Sequence, residues 1–299
     1  MNKIISLLAH PRTMINKLFT HCGRGISDRI YLRYIYLINF GKIPNLDNPQ
    51  TFNEKMNWLK LHDRKDIYTT MADKYSVKEF VAKRIGAEYV VKNYGVYEKW
   101  EDIDFDNLPD QFVIKGTHDS GGAFICKDKK TFDLKNVERR IKHNLKVNYF
   151  YPIREWPYKN IKPRIIVDQL LDDYSGHELR DYKFWCFNGK PTYMYITNKG
   201  KVIKENFYDM DFNPVYINHG FERTIPEYVI PAEFELMKSL AAKLCAGIPF
   251  VRVDFFDVNG KVYFGEFTFF DWGGMRPFRD DWDLKLGSLL ALPDKNVSD

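Results

Sequence analysis

Two carboxylates interrupt a stretch of the chain that otherwise has the composition of β-strands. Asp254 and Glu266 lie within 249–269, where runs rich in Val, Tyr and Phe flank an Asn-Gly pair. Asn-Gly between two such runs is typical of a β-hairpin turn. Paired carboxylates can hold Mg²⁺ through bonds of about 2.1 Å, and a neighbouring Arg252 can bind phosphate oxygens bidentately. These residue types favour a site for a metal and phosphate groups.

The length of the turn decides which face of the hairpin each carboxylate occupies. A two-residue loop would place Glu266 on the face opposite Asp254. A three-residue loop, 258–260, includes a bulge and puts both carboxylates, Arg252 and Thr268 on one face, with diagonal neighbours about 7–8 Å apart. We predict the three-residue loop. The alternative is an ordinary amphipathic hairpin whose acidic face is solvated.

The composition is that of a soluble globular protein with two or three subdomains. The chain has 299 residues, of which 44% are hydrophobic and 28% charged, enough for a substantial core. A net charge of +5 suits an anionic substrate but not a nucleic-acid partner. Four scattered cysteines fit a reducing cytoplasm. The apolar runs are too short for a signal peptide or a transmembrane segment, so we expect a cytoplasmic protein.

Lysines lie at the boundaries of two predicted elements. A capping box of Ser76 and Glu79 predicts the start of an amphipathic helix, and Lys74 lies just before it. A strand predicted at 112–115 ends in Lys115 and runs into a loop rich in glycine. The N–H groups of such a loop can close over phosphates, although a plain hairpin turn explains the same residues.

Aromatic and cationic side chains crowd the segment 149–164. Aromatic faces beside cations can hold a sugar ring and its carboxylate. Packing of the segment against its neighbours explains the same composition, so both interpretations stay open.

Taken in order, these features resemble the ATP-grasp superfamily. Four strings are similar to its TupA-like family from bacterial polysaccharide gene clusters: 57–60 (NWLK), 72–75 (ADKY), 154–159 (REWPYK) and 181–184 (DYKF). The resemblance runs from about residue 40 to 290. It implies an α+β, ATP-grasp fold with a largely helical N-terminal region, 1–95. A lid subdomain, 96–170, and a metal-binding subdomain, 171–299, would clasp ATP between them.

The resemblance also implies roles for individual residues. Arg252 and Lys115 are the implied catalytic residues. The implied Mg²⁺ ligands are Asp254, Glu266 and Thr268, the last in a position where many members have Asn. The implied ATP-binding residues are Lys74, Lys115, Gly116, Ser120, Gly121, Gly122, Asp168, Gln169, Leu171, Asp181 and Lys183. The implied substrate contacts are His118, Arg154, Trp156, Lys159, Gly273 and Gly274, with loop ordering as the alternative for His118.

The implied function is ATP-dependent carboxylate–amine ligation in capsule or O-antigen biosynthesis. ATP would phosphorylate a sugar uronate, and an amino acid or amino alcohol would attack the acyl phosphate to form an amide. The acidic partner is a nucleotide sugar, a lipid-linked unit or a polysaccharide. Peripheral association with a polysaccharide assembly complex is compatible with this function.

Two other functions stay open on the sequence alone. Asp209-Met210-Asp211 is an Asp-x-Asp string of the kind that metal-dependent glycosyltransferases use, though such triplets are frequent by chance. A non-catalytic ATP-binding protein is the other alternative, and the presence of Arg252, Asp254 and Glu266 argues against it.

Overall fold

The computed structural model describes residues 23–119, 122–173, 179–198 and 203–294. Within these ranges, helices pack against two antiparallel β-sheets, so the predicted α+β class is confirmed. The helices are α1 (Asp28–Phe40), α2 (Phe52–His62), α3 (Asp66–Ala72), α4 (Ser76–Ile85), α5 (Leu134–Asn144), α6 (Phe234–Cys245) and α7 (Trp282–Leu289). Each of these helices is too short or too polar to cross a bilayer.

The smaller sheet has four strands in the order β1-β4-β2-β3. Its strands are β1 (Asn93–Tyr97), β2 (Phe112–Gly116), β3 (Phe124–Cys126) and β4 (Ile165–Gln169). One face packs on α5 through a separate hydrophobic core that includes Phe112 and Ile141. Side chains alternate along a strand, so Val113 and Lys115 leave the other face of β2, beside Asp168 of β4.

The larger sheet has six strands in the order β10-β9-β5-β6-β7-β8. Its strands are β5 (Asp181–Phe187), β6 (Lys190–Asn198), β7 (Lys204–Tyr208), β8 (Pro214–Val215), β9 (Phe250–Val258) and β10 (Lys261–Thr268). Strand β5 is buried along its whole length because it lies between two other strands and beneath α6. This central position brings Lys183 of β5 opposite Asp254 of β9.

The starts of α2 and α4 are capped differently. Thr51 and Glu54 form the predicted capping box at α2. The capping box predicted at α4 is wrong, because the hydroxyl of Ser76 donates to Asp73 at 3.0 Å instead of receiving a backbone N–H. The carboxylate of Asp73 also accepts the N–H of Tyr75 at 2.9 Å. An aspartate is as good an acceptor at a helix start as a serine, and its charge favours the positive end of the helix dipole.

Candidate functional site

The turn of the β9–β10 hairpin is shorter than predicted. Val258 pairs with Lys261, so the loop contains only Asn259 and Gly260, with φ angles of 55° and 80°. The predicted three-residue loop is therefore wrong. Two consecutive residues with positive φ make a type I′ turn, and Asn-Gly is the pair that adopts it most readily.

A bulge in β10 supplies the extra residue instead. The register shifts between Phe264 and Phe267, so Gly265 and Glu266 together lie opposite Asp254. Glycine suits this position because a Cβ on it would lie 3.1 Å from the carbonyl oxygen of Asp254. A bulge of this kind moves every later side chain to the other face. The two carboxylates therefore share one face, as expected, but through a different backbone geometry.

Arg252 is the centre of a buried charge cluster on this face. Its guanidinium donates two hydrogen bonds to Asp254, at 2.7 and 2.8 Å, one to Asp271 at 2.6 Å and one to Glu266 at 3.2 Å. On the other side of Asp254, the ammonium group of Lys183 donates at 2.6 Å. Burial alone would raise the pKa of Asp254, but the two cations outweigh burial and hold that pKa below its usual value.

The donor set on this face fits Mg²⁺ that is bound together with phosphate. Among the residues that the structure describes, no three His, Cys, Asp or Glu side chains are grouped as a metal cage. Asp254 and Glu266 offer two carboxylates, and Mg²⁺ commonly takes one or two carboxylates plus substrate phosphates. The side chain of Glu266 is 49% exposed, so it is accessible to such an ion. Thr268 lies opposite Arg252 at the end of the hairpin, in register with this face.

A cleft lies between the hairpin and the smaller sheet. It contains about 800 Å³ of empty space, part of it open to solvent. Its apolar lining consists of Val77, Val90, Val91, Val113, Leu171, Leu179, Phe256 and Phe264. The rest of the lining consists of Lys74, Lys78, Lys115, Asp168, Gln169, Gly265 and Glu266. An apolar slot that meets several ammonium groups has the chemistry to hold a nucleotide base and its phosphates.

Lys74 and Lys115 converge on this cleft, as expected, and Lys78 joins them. Asp168 holds two of the three: its oxygens lie 3.1 Å from the ammonium of Lys78 and 3.3 Å from that of Lys115. Lys74 donates to the backbone carbonyl of Asp119. Burial lowers the pKa of Lys74 and of Lys78. Lys78 was missed by the sequence analysis, and its position in the first turn of α4, four residues after Lys74, was the available signal.

The glycine-rich loop after β2 is organised by a buried carboxylate. A Cβ on Gly116 would lie 2.9 Å from the carboxylate of Asp119, and a Cβ on Gly122 would lie 2.2 Å from it. Ser120 and Gly121 lie outside the described residues. His118 is 2% exposed and bonds the carbonyl of Asn144 at 3.1 Å. The structure therefore gives His118 a loop-ordering position instead of the substrate-facing one.

Two residues that the sequence resemblance assigns to ATP binding, Asp181 and Lys183, lie deeper in the larger sheet. Asp181 is buried, and its carboxylate lies 3.3 Å from the ammonium of Lys183. Lys183 in turn bonds Asp254. The pair therefore connects Asp181, an implied ATP-binding residue, to the charge cluster around Arg252.

Arg154 and Trp156 attach their segment to the N-terminal region, and Lys159 packs within the segment itself. Arg154 is 1% exposed, and its Nε lies 2.8 Å from a carboxylate oxygen of Asp28 in α1. The ammonium of Lys159 and the guanidinium of Arg64 each lie 5.0 Å from the centroid of the Trp156 ring. This corrects the predicted substrate contact of Arg154, because its guanidinium is enclosed between Asp28 and the rings of Tyr31 and Phe150. These contacts fit the alternative interpretation, in which the segment 149–164 packs against its neighbours.

The glycine pair 273–274 supplies backbone acceptors to α2. The carbonyl of Gly273 accepts a hydrogen bond from Lys60 at 2.6 Å, and that of Gly274 accepts one from Asn57 at 2.9 Å. Both glycines have positive φ, 63° and 59°, which glycine adopts readily. Lys60 is completely buried and was missed by the sequence analysis, since a lysine on a helix gives no sign of burial.

The Asp209-x-Asp211 string holds the turn between β7 and β8. Asp209 accepts the backbone N–H of Asp211 at 2.9 Å and that of Asn213 at 2.8 Å, and its second oxygen accepts the side-chain amide of Asn213 at 3.0 Å. Aspartates commonly organise turns in this way. The contacts account for Asp209 without a metal, which weakens the glycosyltransferase interpretation.

Comparison with known proteins matches most of the chain to one family model. The model describes a TupA-like ATPgrasp, and it matches residues 54–291. No curated protein is significantly similar to the chain.

Solved structures of ligases are similar at low identity. D-Alanine-D-alanine ligase from Helicobacter pylori is 16% identical with a TM-score of 0.43, covering 74% of this chain and 61% of that one. D-Alanine–D-alanine ligase from Bacillus anthracis complexed with ATP is 17% identical with a TM-score of 0.38, covering 67% and 55%. L-Amino acid ligase from Bacillus licheniformis is 13% identical with a TM-score of 0.41, covering 67% and 43%. The chain thus spans about three fifths or less of the length of these ligases.

Proposed function

Since this chain belongs to the TupA-like ATP-grasp family, we propose that it is an ADP-forming carboxylate–amine ligase. Its acid is a sugar uronate, and its amine is a small amino acid or amino alcohol. The two are joined in an amide through an acyl phosphate, in the biosynthesis of a bacterial surface polysaccharide. The reaction takes place in the cytoplasm, where ATP is available, either free or in peripheral association with a polysaccharide assembly complex.

One observation supports this proposal most strongly: Glu266 belongs to both halves of the site. It lines the cleft together with Lys74, Lys78 and Lys115, and it accepts a hydrogen bond from Arg252 in the charge cluster. A nucleotide whose phosphates reach the three lysines therefore ends beside Arg252. This is the arrangement that transfer of a terminal phosphoryl group to a carboxylate requires.

The residue types suit the charges of that reaction. A polyphosphate and a carboxylate repel each other, so their approach needs cations in fixed positions. The lysines of the cleft would bind the phosphates, and Arg252 would stabilise charge on the transferring group. Asp254 and Glu266 would hold Mg²⁺, which supplies further neutralisation of the phosphate oxygens when it is bound.

Lys115→Ala is expected to weaken ATP binding by roughly 10- to 100-fold, because a charge-assisted hydrogen bond to phosphate contributes about 1.5–3 kcal/mol. Asp168, the buried partner of Lys115, keeps its 3.1 Å contact with Lys78 in the variant, so the melting temperature is expected to change little. Calorimetric titration with ATP measures the affinity. Lys135→Ala, on the exposed side of α5, is the matched control. Equal affinity in a well-folded Lys115→Ala variant would contradict the nucleotide site.

Trapping with hydroxylamine tests the proposed reaction. The protein is incubated with ATP, Mg²⁺, hydroxylamine and one acid at a time from a panel of glucuronate, galacturonate and UDP-glucuronate. We expect ADP and a hydroxamate to form together with at least one acid and neither to form without an acid. AMP and pyrophosphate as products, or the absence of hydroxamate with every acid, would refute the proposal.

A further inference from the structure

One carboxylate beside the charge cluster has no part in the chemistry described so far. Glu155 immediately precedes the 3₁₀ turn Trp156–Tyr158 and is partly exposed. Its two sequence neighbours, Arg154 and Trp156, face the N-terminal helices, whereas Glu155 is oriented toward the site. With the part of the chain that the structure describes, its carboxylate forms no hydrogen bond or ion pair.

The backbone around Glu155 is held by a buried lysine. Lys60 of α2 donates to the carbonyl of Ile153 at 2.9 Å and to the carbonyl of Gly273 at 2.6 Å. It therefore joins the segment that carries Glu155 to the segment that follows Asp271. A Cβ on Gly273 would lie 3.4 Å from Glu155 Oε1 and 2.4 Å from the side chain of Ile153. Glycine at this position keeps the space beside the carboxylate open.

Burial and the charges of neighbouring side chains both influence the pKa of Glu155. Burial raises its pKa and the charge of Asp271 adds to this effect, whereas Lys60 of α2 and Arg252 of β9 oppose it. Burial raises the pKa of Tyr158, in the same turn. The charges of Glu155 and Glu266 add to this effect, whereas Arg252 opposes it. Glu155 and Tyr158 therefore lie close enough to the charge cluster to be influenced by Arg252.

We propose that Glu155 binds the amine substrate and accepts its proton. This inference rests on the proposed function and identifies the residue that receives the second substrate. A primary amine is an ammonium ion at neutral pH, so it can bind a partly buried carboxylate that forms no hydrogen bond or ion pair with the described residues. The same carboxylate is placed to act as a general base beside the reaction centre.

The proton balance of the step is complete. The ammonium group gives one proton to the carboxylate of Glu155 and becomes a neutral amine. The nitrogen lone pair then forms a bond to the carbonyl carbon of the acyl phosphate, and the carbon–oxygen bond to phosphate breaks. Phosphate leaves with that electron pair and takes the second proton from the nitrogen, which leaves a neutral amide.

Two kinds of nucleophile, unprotonated and protonated at neutral pH, separate this role from phosphoryl transfer. Hydroxylamine is mostly unprotonated at neutral pH and needs no base, whereas ethanolamine and glycine are protonated. Glu155→Gln is expected to form hydroxamate within about twofold of the wild-type rate, and amide with ethanolamine or glycine about 10²–10⁴-fold more slowly, the range of general base catalysis. The lost amide rate should recover as the pH rises and the free amine accumulates.

Two further variants complete the experiment. Glu138→Gln, at an exposed ion pair of α5, should change neither rate. Glu155→Asp keeps a carboxylate and is expected to keep part of the amide rate. It also serves as the test variant if Glu155→Gln is unstable in thermal unfolding.

Three results would overturn the assignment. Equal losses with hydroxylamine and with the protonated amines would mean that Glu155 supports phosphoryl transfer or the fold. Unchanged rates with all nucleophiles would mean that it does not act on the amine. The absence of hydroxamate from the wild-type protein would refute the proposed function itself, and the assignment of Glu155 would fall with it.

Discussion

Glu266→Gln is expected to abolish ADP formation and to leave the fold stable. The change removes one of the two carboxylates that would hold Mg²⁺, and we expect turnover to fall by about 10³-fold or more, since electrostatic stabilisation is commonly the largest part of catalysis. The side chain is 49% exposed, with a single 3.2 Å contact to Arg252, so the free energy of unfolding should change by less than about 1 kcal/mol. A coupled ADP assay and thermal unfolding measure the two effects.

Asp257→Asn is the matched control for this experiment. Asp257 is on the same hairpin and accepts the N–H of Gly260 at 2.9 Å, a bond that asparagine can also accept. It does not line the cleft. Turnover of Glu266→Gln within tenfold of this control would remove Glu266 from the metal site.

Arg252→Ala is expected to have the largest effect on stability. The guanidinium bonds Asp254, Asp271 and Glu266, and the first two of these are almost fully buried. Removing one partner of a buried ion pair leaves uncompensated charge, which costs about 3–5 kcal/mol. Urea unfolding should show a loss of this size in the variant. Arg252→Lys keeps the charge without the bidentate geometry and should lose less.

The pH dependence of stability gives a second measure of the same cluster. The pKa of Asp254 in the folded protein lies below its usual value of 3.8. A depressed pKa adds stability that is fully present above the unfolded pKa and is lost as the pH falls through the folded pKa. Wild-type stability should therefore fall below about pH 4, and the fall should be smaller in Arg252→Ala. An equally steep acid transition in both proteins would contradict the role of Arg252 in lowering this pKa.

The hairpin shows which part of the site was predictable. Asn259-Gly260 identifies a turn by its residue types alone, because both positions need positive φ. The bulge at Gly265 has a weaker signal, a glycine inside a strand, and we placed the extra residue in the turn instead. What favours glycine there is a 3.1 Å approach to the backbone of Asp254, and that approach exists only once β9 and β10 have paired.

The segment around Glu155 shows what the sequence could not reveal. Arg154 and Glu155 are adjacent and charged, and their residue types do not say which one faces the site. The answer depends on Asp28, which pairs with Arg154, and on Lys60, which joins the carbonyls of Ile153 and Gly273. These contacts connect residues roughly 90 to 210 positions apart and follow from packing, not from local preference.

The fate of the carboxylate oxygen tests the central claim most directly. The acid that supports hydroxamate formation is prepared with ¹⁸O in its carboxylate, and the protein is supplied with it, ATP, Mg²⁺ and an amine. If the carboxylate attacks the terminal phosphoryl group, one labelled oxygen leaves with phosphate, and the ³¹P resonance of the released phosphate shifts accordingly. The account predicts ADP together with phosphate that carries one ¹⁸O. Unlabelled phosphate, or label found in AMP, would contradict it.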